Sequence, residues 1–295
     1  MPSAQTRGDS IRRLQKAFTM PAITLGYSPC PNDTFIFYGL VHNRIEGAPA
    51  FREVLKDIDT LNRLAVQSKL DTTKISFHAF AHLRETYCLL HSGGALGRGC
   101  GPLVISKEPV APSDLAGKRV AIPGELTTAA LLLRLHSPDL TGFVVKPFHE
   151  IMSACRSGAV DAGVIIHESR FTYPEYGLTQ VIDLGEWWEE STGHPIPLGG
   201  ILARRDLGED LVNRIDASLK ASVEYAYDHP DIVKPYIRDH AQEMDEAVMQ
   251  QHIDLYVNDY TIDYGKDGEA AISDLLDRAQ SAGIVPSSES ALFVT

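Results

Sequence analysis

Short apolar runs alternate with stretches of helical spacing along most of the chain. Ile23–Tyr27 reads as a strand and leads into SPCPNDTFIFYGL. There Pro29 and Pro31 interrupt regular structure, and Asn32 or Asp33 can cap a helix from about Thr34 to His42. Across residues 57–69, Asp57 is a second potential cap, and Ile58, Leu61, Leu64 and Ala65 recur at helical spacing with Asn62 off that stripe. In Thr72–Phe77, Lys74 and Ser76 alternate with Ile75 and Phe77, which predicts a strand; a helix from about Ala79 to Leu90 follows. Strands at Pro102–Ser106, Arg119–Ile122 and Val144–Pro147 are interleaved with helices opening near Thr127 and Glu150. Gly163–Ile166 has no polar alternation and reads as a buried strand of a parallel sheet. Gln180–Asp183 and Gly199–Ala203 complete the strands. Beyond Gly208 the pattern is helical, with one long helix ended near Pro230 and shorter ones near 231–240, 244–258 and 267–282. Alternation in this order predicts an α/β protein with a mainly parallel sheet.

The order also predicts two lobes, residues 20–106 with 199–295 as the larger and 107–198 as the smaller. The chain crosses between them at Pro102–Lys107 and near Pro197–Leu202, and a ligand cleft between two such lobes is the natural binding site. The SPCPND helix and the Lys74–Ser76 strand would face it from one side, Thr127, Thr128 and His167 from the other. Residues 1–19 read as a disordered extension or as the product of a misplaced start codon ahead of Met20: they are polar and basic (Arg7, Arg12, Arg13, Lys16) and lack the apolar core of a secretory signal.

Composition narrows the partners. A chain of 295 residues with 44% hydrophobic and 22% charged positions has ample material for a core. The formal net charge of −12 argues against nucleic acid or an anionic membrane as partner, though not against a small anion held by local donors. No apolar run reaches the ~18 residues that span a bilayer. The four cysteines (Cys30, Cys88, Cys100, Cys155) form no C-x-x-C pair, which fits a reducing cytoplasm. Oligomeric state is not legible.

The candidate chemistry is acid/base work or ligand binding without a cofactor or metal. Ser92–Gly101 packs five glycines into ten residues but has neither P-loop nor dinucleotide spacing. His78, His82 and His91 show no metal-ligand spacing, and G-x-S-x-G is absent. His167 ends a predicted strand, and ligands of open α/β sheets sit at the carboxyl ends of strands. An imidazole there is either a proton acceptor working near ~pH 6.5 or a histidine held by a structural hydrogen bond. Glu168 would orient it only if strand neighbours did not point to opposite faces. Arg170 binds an anion or pairs with Glu168 or Glu175, and Thr127 and Thr128 hold an anion or cap a helix. Trp187 and Trp188 wall a pocket or pack in the core, and Cys30 reads as a small packing residue.

Five blocks of sequence, SPCPNDTFIFYGLVH, TLNRLA, SGGALGRGCGPLV, AIPGELTTA and AGVIIHESRFTYPEYGL, resemble the 1,4-dihydroxy-6-naphthoate synthase family of the futalosine route to menaquinone. The resemblance runs from about Ile23 to Val294. It implies a two-lobe, type II periplasmic-binding-protein-like fold recruited to catalysis in the cytoplasm. It also implies a cofactor-free lyase acting on a small anionic aromatic substrate. That substrate would be cyclic dehypoxanthine futalosine, converted to 1,4-dihydroxy-6-naphthoate with release of a ribose-derived fragment. His167 falls on the family's base, and Lys74, Ile75, Ser76, Thr128 and Ala129 on its substrate contacts; Asn62 and Thr127 extend that set. A chorismate dehydratase of the same pathway would share the fold, but its first strand leads into a different block. A solute-binding receptor would need a signal peptide and no cleft base.

Overall fold

The computed structural model describes residues 22–241 and 245–294; the predicted extension at 1–19 lies outside them. Their strands form two mixed sheets. The first contains β1 (Ile23–Tyr27), β2 (Phe51–Leu55), β3 (Thr72–Ser76), β4 (Tyr87–Leu89), β5 (Ala95–Gly97) and β11 (Ile196–Arg204), in the order β2-β1-β3-β11-β4 with β5 also on β11. The second contains β6 (Leu103–Ser106), β7 (Val120–Ile122), β8 (Phe143–Val145), β9 (Ala162–Ile165) and β10 (Thr179–Asp183), in the order β10-β6-β9-β7-β8.

Strands joined by helical crossovers pair in parallel, as predicted: β1 with β2 and β3, and β7 with β8 and β9. The strands that carry the chain between sheets break the pattern. β11 returns antiparallel to β3, β4 and β5, and β6 runs antiparallel to β9 and β10. Neither sheet is therefore mainly parallel. β6, expected to end the larger lobe, hydrogen-bonds into the second sheet, which thus begins at Leu103.

Three local readings change. β2 was not anticipated; it is an edge strand whose Arg52 and Glu53 are exposed, so its apolar signal is diluted. The helix predicted over 79–90 stops at Ala81, and β4 takes Tyr87–Leu89, where Leu89 pairs with Leu202 and Tyr87 is fully buried. Sheet pairing overrides local helix spacing there. The glycine-rich stretch contains β5, and Gly101 crosses the backbone of Gly185 so closely that a Cβ would lie 2.3 Å from its Cα. At Gly101 the requirement is close approach of two backbones.

The helix Pro31–Val41 is buried from Pro31 to Leu40, and its Phe37 and Ile36 pack with Leu219 and Val223 of the helix Glu209–Asp228. A helix apolar on all sides belongs in the interior, and this one brings its first turn to the cleft. A second core unites both sheets through Ile75, Phe80, Val104, Ile122, Leu131 and Trp188. Trp188 is in that core, with its indole N–H donated to Pro195 O at 3.1 Å. Among the described residues, no helix is long and apolar enough to cross a membrane.

Candidate active site

The helix Pro31–Val41 begins three residues earlier than predicted because Pro31 occupies its first turn, where a fixed φ and a missing N–H cost nothing. Neither Asn32 nor Asp33 caps it; both side chains go to the cleft. Asp33 Oδ2 accepts from Ser28 N (3.1 Å) and Ser28 Oγ (2.7 Å). Asp33 Oδ1 accepts from Asn32 Nδ2 (3.0 Å) and from Lys74 Nζ at 2.6 Å, in an ion pair buried at both ends. One of the three ammonium N–H groups of Lys74 is thus committed.

Ser76 ends β3. Asn62, in the helix Ile58–Val66, accepts from Ser76 N (3.0 Å) and donates to Ser76 Oγ (3.1 Å). The serine hydroxyl is an acceptor in that contact, so its own proton is free to point at a ligand. Asn62 is fully buried and does not line the cavity, so it supports Ser76 from behind. On the facing side, Thr127 caps the helix Thr128–His136 by accepting from Ala130 N and donating to Gly124 O. The Thr128 hydroxyl accepts from Phe77 N (2.9 Å) and donates to Leu198 O (2.5 Å), tying that helix start to β3 and β11. Both hydroxyls are consumed locally. What the helix start still offers is the N–H groups of its first turn, at Thr128 and Ala129.

These groups enclose a cavity of about 100 Å³, lined by Asp33, Lys74, Ile75, Ser76, Thr127, Thr128, Ala129, His167, His252 and Tyr256 among others. A second chamber of about 560 Å³ adjoins it and shares Ser28, Ile58, Ile166 and His167. His167 stands at the junction.

The strand predicted to run to Ile166 ends at Ile165, and His167 takes a left-handed backbone with φ +58°. That conformation is costly for a residue with a Cβ and marks a position where the fold holds strain. It also cancels the opposite-face argument, because Glu168 follows on a turn rather than on a strand. The imidazole lies edge-on to Phe148 (5.1 Å between centroids) and near-parallel to His252 (6.1 Å), with Nδ1 3.6 Å from Cys30 Sγ. Burial lowers the His167 pKa, Glu168 and Asp33 oppose that shift, and Lys74 reinforces it. The ring is therefore neutral at neutral pH, with a lone pair to offer.

Arg170 pairs instead with Asp183 (2.6 Å) and donates to Gly101 O (2.6 Å), so it braces the second sheet. Cys30, His167 and Glu168 bring ligand atoms within 4.8 Å of one another. Burial, then the charges of Glu168 and Asp33, push the Cys30 thiol strongly up, so it is a protonated neighbour of His167 and a poor match for the thiolates of a structural zinc site.

Sequence reasoning missed His252. It is 1% exposed and lies on the face of the helix Glu246–Tyr256 that buries Met249, Ile253 and Tyr256. A histidine on an otherwise apolar stripe was the available signal. Its Nε2 donates to Asn32 Oδ1 at 2.9 Å.

Comparison with known proteins follows the same lines. Residues 23–281 match a family model described as menaquinone biosynthesis. A 1,4-dihydroxy-6-naphtoate synthase of Thermus thermophilus is 50% identical over 275 residues, covering 93% of this chain and all of that protein. Its namesake in Streptomyces coelicolor is 51% identical over 269 residues, covering 90% and 95%. Among solved structures, protein AF1704 of Archaeoglobus fulgidus superposes with a TM-score of 0.85 at 35% identity, over 91% of this chain and all of its own. The alkanesulfonate-binding protein SsuA of Xanthomonas axonopodis superposes at 0.67 with 14% identity, over 92% and 96%; the fold is the two-sheet, periplasmic-binding-protein-like one. With the match spanning nearly every described residue, the chain belongs to the menaquinone biosynthesis family.

Proposed function

We propose that this protein is a cytoplasmic lyase that converts cyclic dehypoxanthine futalosine to 1,4-dihydroxy-6-naphthoate, with His167 as general base and no cofactor. The observation that carries the reading is His167 itself, a neutral imidazole on a strained backbone at the junction of the two chambers. The cavity lined by Lys74 and Ser76 supplies donors for an aromatic carboxylate: the two uncommitted N–H groups of Lys74, the free hydroxyl proton of Ser76, and the helix N–H groups at Thr128 and Ala129. Ile75 and Tyr256 supply apolar wall for the rings. The sugar-derived portion then lies toward the second chamber, past His167. Removal of a hydroxyl proton from that portion by His167 starts the fragmentation that releases the aromatic product. General base catalysis is worth ~10²–10⁴-fold, and fixed orientation in the closed cleft adds to it.

The test is turnover by the purified protein given cyclic dehypoxanthine futalosine or chorismate in separate reactions, followed by the absorbance of aromatic product. His167→Asn is the informative variant, since asparagine tolerates a left-handed backbone. Turnover of the futalosine derivative that drops about 10²-fold or more in the variant, with binding kept, is the expected result. Near-normal turnover by the variant, or turnover of chorismate alone, would overturn the assignment.

A further inference from the structure

Two buried polar atoms beside the site have no hydrogen-bond partner among the described residues, and they face one another. They are Nδ1 of His252 and Oε2 of Glu168, 3.9 Å apart. The tautomer of His252 follows from its neighbours. Asn32 donates its amide N–H to Asp33, so its Oδ1 faces His252 and must receive the N–H of Nε2. A neutral His252 therefore presents a lone pair at Nδ1 to a carboxylate oxygen. Two acceptors meet across a gap that lacks one proton. An unpaired buried acceptor is destabilising because it has given up its hydrogen bonds to water, and here there are two.

The missing proton has an obvious source. His167 stacks over His252 with ring planes 16° apart, and Glu168 is its neighbour in the chain and the strongest of the charges acting to raise its pKa. We propose that Glu168 and His252 form a proton-holding pair beside His167, so that the proton His167 takes from substrate is shared by the two imidazoles and the Glu168 carboxylate. The inference rests on His167 being the base, and it makes Glu168 and His252 positioning residues for that step. No bond other than those to the proton forms or breaks: His167 gains it from the substrate hydroxyl, and the leaving fragment or product regains it at the end of the cycle. In the resting enzyme burial, the His167 ring and Lys74 keep His252 neutral, so the pair is vacant when substrate arrives. The other charges facing His167 are Asp33, Lys74 and Asp57, with Cys30 as a protonated neighbour and Lys146 and His149 in the adjoining chamber wall.

A purely structural His252 would need only its bond to Asn32. His252→Gln can keep that bond through its amide N–H while being unable to take a proton. The expected result is a kcat at least about 10-fold lower with KM little changed. Glu168→Gln is expected to lower kcat by about 10²-fold and to move the acid limb of the kcat/KM profile to lower pH. The double variant is expected to be no worse than the poorer single, because the groups act as a unit. A second measurement does not need turnover: ring-nitrogen NMR shifts of His167 and His252 against pH in the ligand-free protein. Glu168→Gln should lower the His167 midpoint, and His252 should show the Nε2–H tautomer at neutral pH. Wild-type kcat and pH profile in His252→Gln, or an unmoved His167 midpoint in Glu168→Gln, would overturn the proposal. A moved midpoint in a protein that leaves the futalosine derivative unchanged would support the pair while refuting the proposed substrate.

Discussion

Replacing Asp33 with Asn puts the buried Lys74 to the test. Each oxygen of Asp33 takes two donors, Lys74 and Asn32 on Oδ1, Ser28 N and Ser28 Oγ on Oδ2. An asparagine offers one acceptor and one donor end. Turned one way, its N–H₂ meets the fixed N–H of Ser28; turned the other, it meets the ammonium of Lys74. Either orientation opposes two donors, and the Lys74 charge, 6% exposed, loses the one carboxylate within ion-pair reach among the described residues. Breaking a buried pair in this way costs about 3–5 kcal/mol. At about 2 °C per kcal/mol for a chain of this size, the melting temperature should fall by ~6–10 °C. Lys74→Met should cost less, because Asp33 keeps three hydrogen bonds and the methionine fills the space. The double variant should lie close to Lys74→Met, giving a coupling of about 2 kcal/mol or more. Calorimetry or urea unfolding of the four proteins reads all of this. Asp33→Asn within 1 kcal/mol of wild type, or Lys74→Met as costly as Asp33→Asn, would refute the reasoning.

Three further expectations follow from single contacts. His78 is 2% exposed, and burial drives its pKa down to about 4, so the unfolded chain binds the extra proton between pH 6.5 and 4. Stability should fall by about 3 kcal/mol as pH drops through that window and be unaffected above it; urea unfolding against pH should show a flatter slope in His78→Gln. Gly101→Ala drives a Cβ into the Gly185 backbone and should cost about 3 kcal/mol or prevent folding, whereas Gly99→Ala, with φ +66° but open space around it, should cost about 1 kcal/mol. Equal losses in denaturant titrations would contradict the close-approach reading. Thr128→Val strands Phe77 N–H and Leu198 O and should destabilise by about 2–4 kcal/mol, with Thr128→Ser restoring most of it in the same assay.

Much of this protein was legible in its sequence. Apolar spacing located the helix Ile58–Val66 with Asp57 as its cap, the strands around Ile75 and Val164, and the long helix ending at Asp228. The histidine at the end of β9 stood out for the same reason, since a buried strand that ends in a titratable side chain aims it at a strand end. Local periodicity encodes which face of an element is buried and where it starts and stops. It is silent on which buried faces meet. The antiparallel placement of β6 and β11, the pairing of Lys74 with a carboxylate 41 residues earlier, the support of Ser76 by Asn62 and the approach of His252 to Asn32 across 220 residues are decisions of packing. Tertiary structure likewise spent the hydroxyl of Thr128 on β3 and β11, and turned the backbone at His167 so that Glu168 came round beside it. The sequence singled out the imidazole at the end of β9; only the fold decided what surrounds it, because contacts between distant residues are set by how the elements stack.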